Sequence, residues 1–249
     1  MTNTSDEPGQ SESHGSLIEF RDVSRVYPGS TGAAVSQVTL TIQPGTFVVL
    51  LGPSGCGKTT LLKMVNRLIE PTSGTILIDG ADVRGMSAPD LRRRIGYVIQ
   101  QTGLFPHMRI EENVAVVPKL LKWSKPEIDT RITELMALIG LPEEYRKRYP
   151  AQLSGGEQQR VGLARALAVD PSMMLMDEPF GALDAITRNR LQEELLRIHG
   201  ELKQTILFVT HDIDEAVRLA DCVVVMRKGE IVQTGTPLEI VSRPADDFV

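Results

Sequence analysis

The stretch "TFVVLLGPSGCGKTT" occupies residues 46–60. Its first part, Thr46 to Leu51, is a continuous apolar run of strand length, as expected of a strand buried on both faces of a parallel sheet. Its second part, "GPSGCGKTT" (52–60), fits the pattern G-x-x-x-x-G-K-[ST]. "KTTLLKMVNRLI" (58–69) then reads as a helix stopped by Pro71 and Gly74. A strand, a glycine loop and a helix in that order make a P-loop, a cradle for phosphate. Gly52, Gly55 and Gly57 let the backbone wrap phosphate oxygens, and Pro53, Ser54 and Cys56 complete the loop. Lys58 can reach β- and γ-phosphates, and the hydroxyl of Thr59, with Thr60 beside it, can ligate Mg²⁺.

Outward from this loop, further strand candidates are "IGYVIQ" (95–100), "MMLMD" (173–177), "TILFVT" (205–210) and "CVVVM" (222–226). Helical patterns separate them, which implies an α/β fold with a mainly parallel sheet and helices on both faces. Before the loop, residues 17–27 and 38–42 alternate apolar and polar, and predict antiparallel strands. Residues from about 102 to 168 lack strong strand signals and read as a helical insertion. Within it, Ser124 and Glu127 form a capping box. Ile128, Ile132, Leu135, Met136 and Ile139 follow at helical spacing, and Gly140 suits the C-cap. Residues 1–16 hold three acids and no Lys or Arg, and predict a disordered acidic tail.

The net charge of −5 disfavours a duplex-binding protein, so no nucleic-acid partner is expected. The run Arg92-Arg93-Arg94 reads as a solvated helix face. Two cysteines, Cys56 and Cys222, suggest no disulfide framework and fit a reducing cytosol. No apolar run reaches the length of a membrane span, and the N-terminus lacks signal-peptide character. Work at a membrane would then require a partner to hold the chain there.

Several strand ends carry polar residues that suit phosphate chemistry. "MMLMDEP" (173–179) ends in two acids: Asp177 could hold Mg²⁺ through water, and Glu178 could polarise an attacking water. Alone, such a pair reads more readily as a solvated turn; a P-loop in the same chain turns the reading toward catalysis. Gln100 could be a further Mg²⁺ ligand. His211 ends "FVTHD" (208–212) at the sheet edge where ligands bind, although a lone histidine there is more often structural. Tyr27 closes an early strand, as an ordinary edge aromatic or as a platform for a purine. "QLSGGEQQR" (152–160) is a glycine turn, capped by Ser154, that opens a helix. Such an end suits an anion, so the chain carries two phosphate sites.

The order P-loop, Gln100, "LSGGEQQR", "LMDEPFGALD", His211 resembles the nucleotide-binding subunit of an ABC transporter, over residues 17–249. The resemblance explains the second phosphate site. In that superfamily two subunits pair head to tail, and each ATP lies between one chain's P-loop and the other chain's signature. Ser154, Gly155 and Gly156 would meet the γ-phosphate held by the partner. Tyr27 would be the adenine stacker, Gln100 the residue sensing Mg²⁺ and the membrane partner, Asp177 the Mg²⁺-binding acid, Glu178 the base, Asp184 the D-loop acid and His211 the γ-phosphate switch. Glu157 departs from the commoner glutamine of the signature and is given no phosphate contact.

Longer stretches, "GYVIQQTGLFPHMRIEENVAVVPKLLKW" (96–123), "RYPAQLSGGEQQRVGLARALA" (148–168), "MDEPFGALDAITR" (176–188), "FVTHDIDEA" (208–216) and "RPADDFV" (243–249), are similar to importers of glycine betaine, carnitine, choline or proline. The resemblance implies a RecA-like core with an antiparallel β subdomain and an inserted helical subdomain. It also implies an ATPase on the cytoplasmic face of the membrane, a separate permease docking near Gln100–Met108, and an extracytoplasmic solute-binding protein acting indirectly. Many such ATPases continue beyond "DDFV" into paired CBS domains that sense ionic strength. The solute would not touch this subunit, so Trp123 is expected to pack in the helical subdomain. An importer of another solute would use the same motor. A soluble ABC ATPase of DNA repair or translation would need a coiled-coil insertion or tandem halves, for which 249 residues leave no room. Glu178 and His211 argue against a non-hydrolysing module.

Overall fold

The computed structural model describes residues 15–100, 103–181 and 183–249. In chain order, β1 (Ile18–Val26), β2 (Ala33–Ile42) and β3 (Phe47–Leu51) lead into helix α1 (Lys58–Val65). Then come β4 (Ser73–Ile78), β5 (Ala81–Asp82), α2 (Ala88–Arg93) and β6 (Ile95–Val98). Helices α3 (Ile110–Val114), α4 (Val116–Leu120), α5 (Lys125–Leu138) and α6 (Gly155–Leu167) follow, with no strand between them among the described residues. β7 (Met173–Asp177), α7 (Ala185–Leu202), β8 (Thr205–Thr210), α8 (Ile213–Leu219), β9 (Cys222–Arg227), β10 (Glu230–Gly235) and α9 (Pro237–Ser242) complete the chain.

The strands form two sheets. One is antiparallel, in the order β2-β1-β4-β5; the other runs β10-β9-β3-β8-β7-β6. In the second, β3, β6, β7, β8 and β9 are parallel, and β10 pairs antiparallel with β9 at the edge. Side chains alternate across this sheet with period two. Phe47, Val49, Met174, Met176, Ile206 and Phe208 join one buried cluster with the helical segments. Val48, Leu50, Met173, Leu175, Leu207 and Val209 join another with α1 and the antiparallel sheet. Both faces are covered, which is why these strands read as unbroken apolar runs.

The register sets up the site. Leu51 pairs with Thr210, Val209 with Asp177, and Met176 with Val98. The carboxyl ends of β3, β8, β7 and β6 are therefore nearly level, and the chain leaving each one enters the same edge.

Between β6 and β7, α5 opens with the Ser124–Glu127 capping box, in which Ser124 N–H donates to Glu127 Oε2 at 2.7 Å. Its apolar stripe, Ile128, Ile132, Leu135 and Met136, is buried. Trp123 packs partly buried against the same cluster. The loop before α3 is pinned by Asn113, which is fully buried. Its Oδ1 accepts from Phe105 N–H at 2.7 Å, and its Nδ2 lies 3.2, 3.1 and 3.0 Å from the carbonyls of Phe105, Met108 and Arg109. Asn113→Ala would leave those groups without their partner. We expect a loss of about 1–3 kcal/mol in urea unfolding, with faster amide exchange at Phe105; unchanged exchange there would show that the amide does not hold the loop.

Four sequence expectations are corrected. Gly15 and Ser16, assigned to the tail, belong to the fold: Ser16 is buried and its N–H donates to the Ser172 carbonyl. Residues 1–14 of the expected tail lie outside the described residues. Helix α1 ends at Val65 and not at Ile69, because Arg67 takes a positive φ of 53° and Arg92 donates to the carbonyls of Asn66 and Arg67. Arg92 is thus a helix-end ligand and not simply a solvated charge. Strands β4, β5 and β10 carry no signal picked out in the sequence, and β2 starts at Ala33, five residues before the predicted Val38.

Candidate nucleotide site

The loop after β3 turns on Gly52 and Gly57, where a Cβ would collide with backbone. Gly57 has φ +110°, and a Cβ there would lie 2.3 Å from the Ala34 carbonyl oxygen. Helix α1 starts at once, and no side chain caps it. Its first-turn N–H groups thus keep their capacity for an anion, on the positive end of the helix dipole. Lys58 is buried, with its ammonium donating to the carbonyls of Gly52 at 2.6 Å and Pro53 at 2.9 Å. This cradle of Gly52, Pro53, Ser54, Gly55, Cys56, Gly57 and Lys58 fits a chain of phosphates. Tyr27 stands beside it, half-exposed, with its hydroxyl 3.5 Å from Thr60 Oγ1 and the Arg25 guanidinium 4.8 Å from its ring centroid.

The level strand ends bring the other predicted residues to this cradle. Thr59 Oγ1 donates to Asp177 Oδ1 at 2.7 Å, across from the end of β7. Glu178 follows with a positive φ of 45°, and its N–H is held by the Val209 carbonyl. That backbone directs its carboxylate toward the ends of β6 and β8. Its Oε2 accepts from Gln100 Nε2 at 3.3 Å and lies 3.3 Å from His211 Nδ1. Gln100, Glu178 and His211, far apart in the chain, therefore meet at one oxygen. Lys63, which the sequence reading passed over, places Nζ 3.9 Å from Asp177 Oδ2; its position one turn after Thr59 on α1 is the signal that could have found it. Tyr97, half-buried near Asp177, has its phenol pushed up to about 12, first by burial and then by that carboxylate.

Ser154, Gly155 and Gly156 lie elsewhere. Ser154 caps α6, accepting from Glu157 N–H, while its own N–H donates to Glu157 Oε2 at 2.7 Å. These bonds, the backbone one foremost, hold the Glu157 carboxyl below its usual range. Glu157 thus closes a capping box. Gly156 sits so close to α7 that a Cβ would meet Thr187 Cγ2 at 2.3 Å, and Gly155 faces Leu183. Asp184 starts α7 by accepting from the N–H groups of Ile186 and Thr187, and its hydrogen bonds with Thr187 hold its carboxyl low. The Ser154–Gly156 turn and Asp184 are therefore brought together where the start of α6 packs on the start of α7. Ala182, between Glu178 and Asp184, lies outside the described residues.

Residues 35–181 match the family model described as ABC transporter. The chain belongs to the ABC transporter family. It is an ATP-binding cassette, and the two sheets and the helical segment between β6 and β7 are its fold. The glycine betaine/carnitine/choline transport ATP-binding protein of Bacillus subtilis is 54% identical over 94% of this chain. The glycine betaine uptake system ATP-binding protein of Escherichia coli is 56% identical, again over 94% of this chain and over 75% of its own length. The chain spans 61% of the length of the Bacillus relative. Among solved structures, a dimeric ATP-binding cassette in a post-hydrolysis state with ADP and Pi superposes with a TM-score of 0.78 at 33% identity, covering 88% of this cassette and 98% of that one. A cassette from a Clostridium perfringens ABC transporter gives 0.84 at 28% identity, over 92% and 91%.

Proposed function

We propose that this cassette is the ATP-hydrolysing motor of an importer for quaternary-amine compatible solutes such as glycine betaine, carnitine or choline. The observation that carries the hydrolytic part is the meeting of Gln100 and His211 at the Glu178 carboxylate, beside the Thr59–Asp177 pair. The names of the relatives support the solute class.

In this reading the cradle binds the triphosphate of ATP, Lys58 turns its ammonium to the β- and γ-phosphates, and Tyr27 stacks on the adenine. Thr59, Gln100 and Asp177 would hold Mg²⁺, which supplies charge neutralisation at the phosphates; a hydroxyl, an amide and one carboxylate suit an ion that keeps waters and phosphate oxygens as its other ligands. Glu178 accepts the proton of the attacking water. With Nδ1 donating to Glu178, His211 would donate to the γ-phosphate through Nε2 as the imidazolium, the form that carries a proton on both ring nitrogens. Ser154–Gly156 and Asp184 would serve the ATP of a partner cassette in a head-to-tail dimer, a reading supported by the dimeric state of a similar cassette. Loss of the γ-phosphate then weakens the bridge and lets the pair open.

No helix among the described residues is long and apolar enough to cross a membrane. The motor would sit on the cytoplasmic face, held by a permease, with an extracytoplasmic solute-binding protein acting through that permease. The permease would dock near Gln100–Met108, of which Gln101 and Thr102 lie outside the described residues. Phe105, 39% exposed, lines a groove there with Tyr97, Val116 and Val117. Fully burying an aromatic side chain contributes about 1.5–3 kcal/mol, and docking would bury only the part of Phe105 still exposed. Phe105→Ser should therefore weaken permease docking by roughly 3- to 7-fold and lower solute uptake, with ATP affinity of the isolated chain unchanged. Equal loss of both would move Phe105 from the docking surface to the core.

The test of the function is uptake of labelled glycine betaine and choline by cells deleted for this chain. Complementation by the wild type and failure by Glu178→Gln is the expected result. Restored uptake of sulfate instead, the solute named for relatives 46–48% identical, would overturn the solute class and leave the motor standing.

A further inference from the structure

Arg188 lies on the first turn of α7, the last residue of the stretch "MDEPFGALDAITR", and has no role in the site as described so far. Its side chain is 29% exposed and its guanidinium reaches two segments that the site depends on. One terminal nitrogen donates to Asp212 Oδ2 at 3.1 Å; the other donates to the Leu183 carbonyl at 3.2 Å. The first partner directly follows His211, and the second directly precedes Asp184.

Both partners are rigidly held. Asp212 caps α8 through Oδ1, which accepts from Asp214 N–H at 2.9 Å, while its own N–H donates to Thr210 Oγ1 at 3.0 Å. The Thr210 hydroxyl donates in turn to the buried Glu215 at 2.6 Å. On the other side, Leu183 N–H donates to the Phe180 carbonyl, and Gly181 N–H to that of Glu178. The turn carrying Glu178 and Asp184 is thus tied through one guanidinium to the strand end carrying His211. The Arg188 Nε is buried with no hydrogen-bond partner, 4.0 Å from Glu215 Oε1. Leaving that donor unsatisfied is unfavourable, so the side chain sits where it does because of its two terminal contacts. Lysine cannot reproduce them, since it lacks the planar fork.

We infer that Arg188 is a positioning residue for ATP hydrolysis, locking the Glu178–Asp184 turn and His211 into one geometry. Its contacts are with Asp212 and Leu183, so it acts on the reaction through other residues. It sets the 3.3 Å approach of His211 to Glu178, and it ties that approach to the Leu183–Asp184 edge beside the signature glycines. The inference rests on the ATPase reading of the site. A misplacement on the order of 1 Å at a reacting group can lower a rate by about 10²-fold, so the brace need only prevent a small shift.

The test is a double-mutant cycle on steady-state ATPase activity, with Arg188→Met and His211→Ala singly and together, and with ATP affinity measured by calorimetry for each. Arg188→Met should lower kcat by roughly 10- to 100-fold with ATP affinity within about twofold, since the cradle is untouched. On the His211→Ala background the same substitution should lower kcat by less than about threefold, because residues acting as a unit are non-additive. Full, multiplicative loss on that background would overturn the inference, as would a parallel loss of ATP affinity. Should Arg188→Met fail to fold, Arg188→Lys takes its place in the same cycle with the same expected non-additivity. If His211→Ala by itself leaves kcat unchanged, the assignment of the site falls and the inference falls with it; that outcome is distinct from additivity, which removes Arg188 alone.

Discussion

Glu178→Gln is expected to lower ATP turnover by roughly 10²- to 10⁴-fold, the span that a positioned general base contributes. The substitution keeps the shape of the side chain and removes only its capacity to take a proton. The amide oxygen can still accept from Gln100 Nε2, 3.3 Å away in the wild type, so the neighbouring geometry is kept. It also removes a negative charge from the vicinity of the γ-phosphate, which favours the ATP-bound pair of cassettes. The variant should therefore bind ATP at least as tightly as the wild type and accumulate as a dimer. Single-turnover hydrolysis and size-exclusion chromatography with ATP measure the two effects together. Wild-type turnover would remove Glu178 as the base; slow turnover without a dimer would remove the sandwich.

Lys58→Ala should weaken ATP binding by roughly 10- to 100-fold. The ammonium is the one charged side chain in the loop itself, and hydrogen bonds to charged groups contribute about 1.5–3 kcal/mol, which is that range in affinity. Lys58 is buried and its ammonium is within 2.6–2.9 Å of two loop carbonyls. It is therefore held at the cradle in advance and loses little freedom on meeting the phosphates. Calorimetric titration with Mg-ATP reads the effect, and near-normal affinity would place the phosphates away from Nζ. The two substitutions should separate cleanly, Lys58→Ala acting on binding and Glu178→Gln on turnover.

The phosphate cradle and the acids at the end of β7 were legible because their chemistry is local. A P-loop needs a strand, a glycine turn and a helix start in unbroken succession, and all three lie within residues 46–65. Asp177 and Glu178 were legible for a related reason: a fully apolar strand can end in two acids only where its edge meets solvent or ligand. The capping boxes at Ser124 and Ser154 are likewise contacts between residues three apart.

What lay beyond the sequence were contacts set by strand order and register. Nothing near Gln100 or His211 in the chain indicates that both reach the same oxygen of Glu178; that follows from β3, β8, β7 and β6 ending level. The short α1 depends on Arg92, a residue 26 positions from the Asn66 carbonyl it binds. β10 is an edge strand, with its residues half-buried or exposed, and lacks the apolar run that marked the central strands. Asn113 and Arg188 have no sequence signal because a buried amide serving backbone carbonyls, or a guanidinium joining a carbonyl to a carboxylate 24 residues away, leaves no pattern of its own. The sequence by itself determined which groups are available for ATP chemistry, since motif residues act through their immediate neighbours. Only the tertiary structure decided that Gln100 and His211 meet at Glu178 while Ser154, Gly155 and Gly156 come beside Asp184, because strand register makes the first grouping and the packing of α6 on α7 the second.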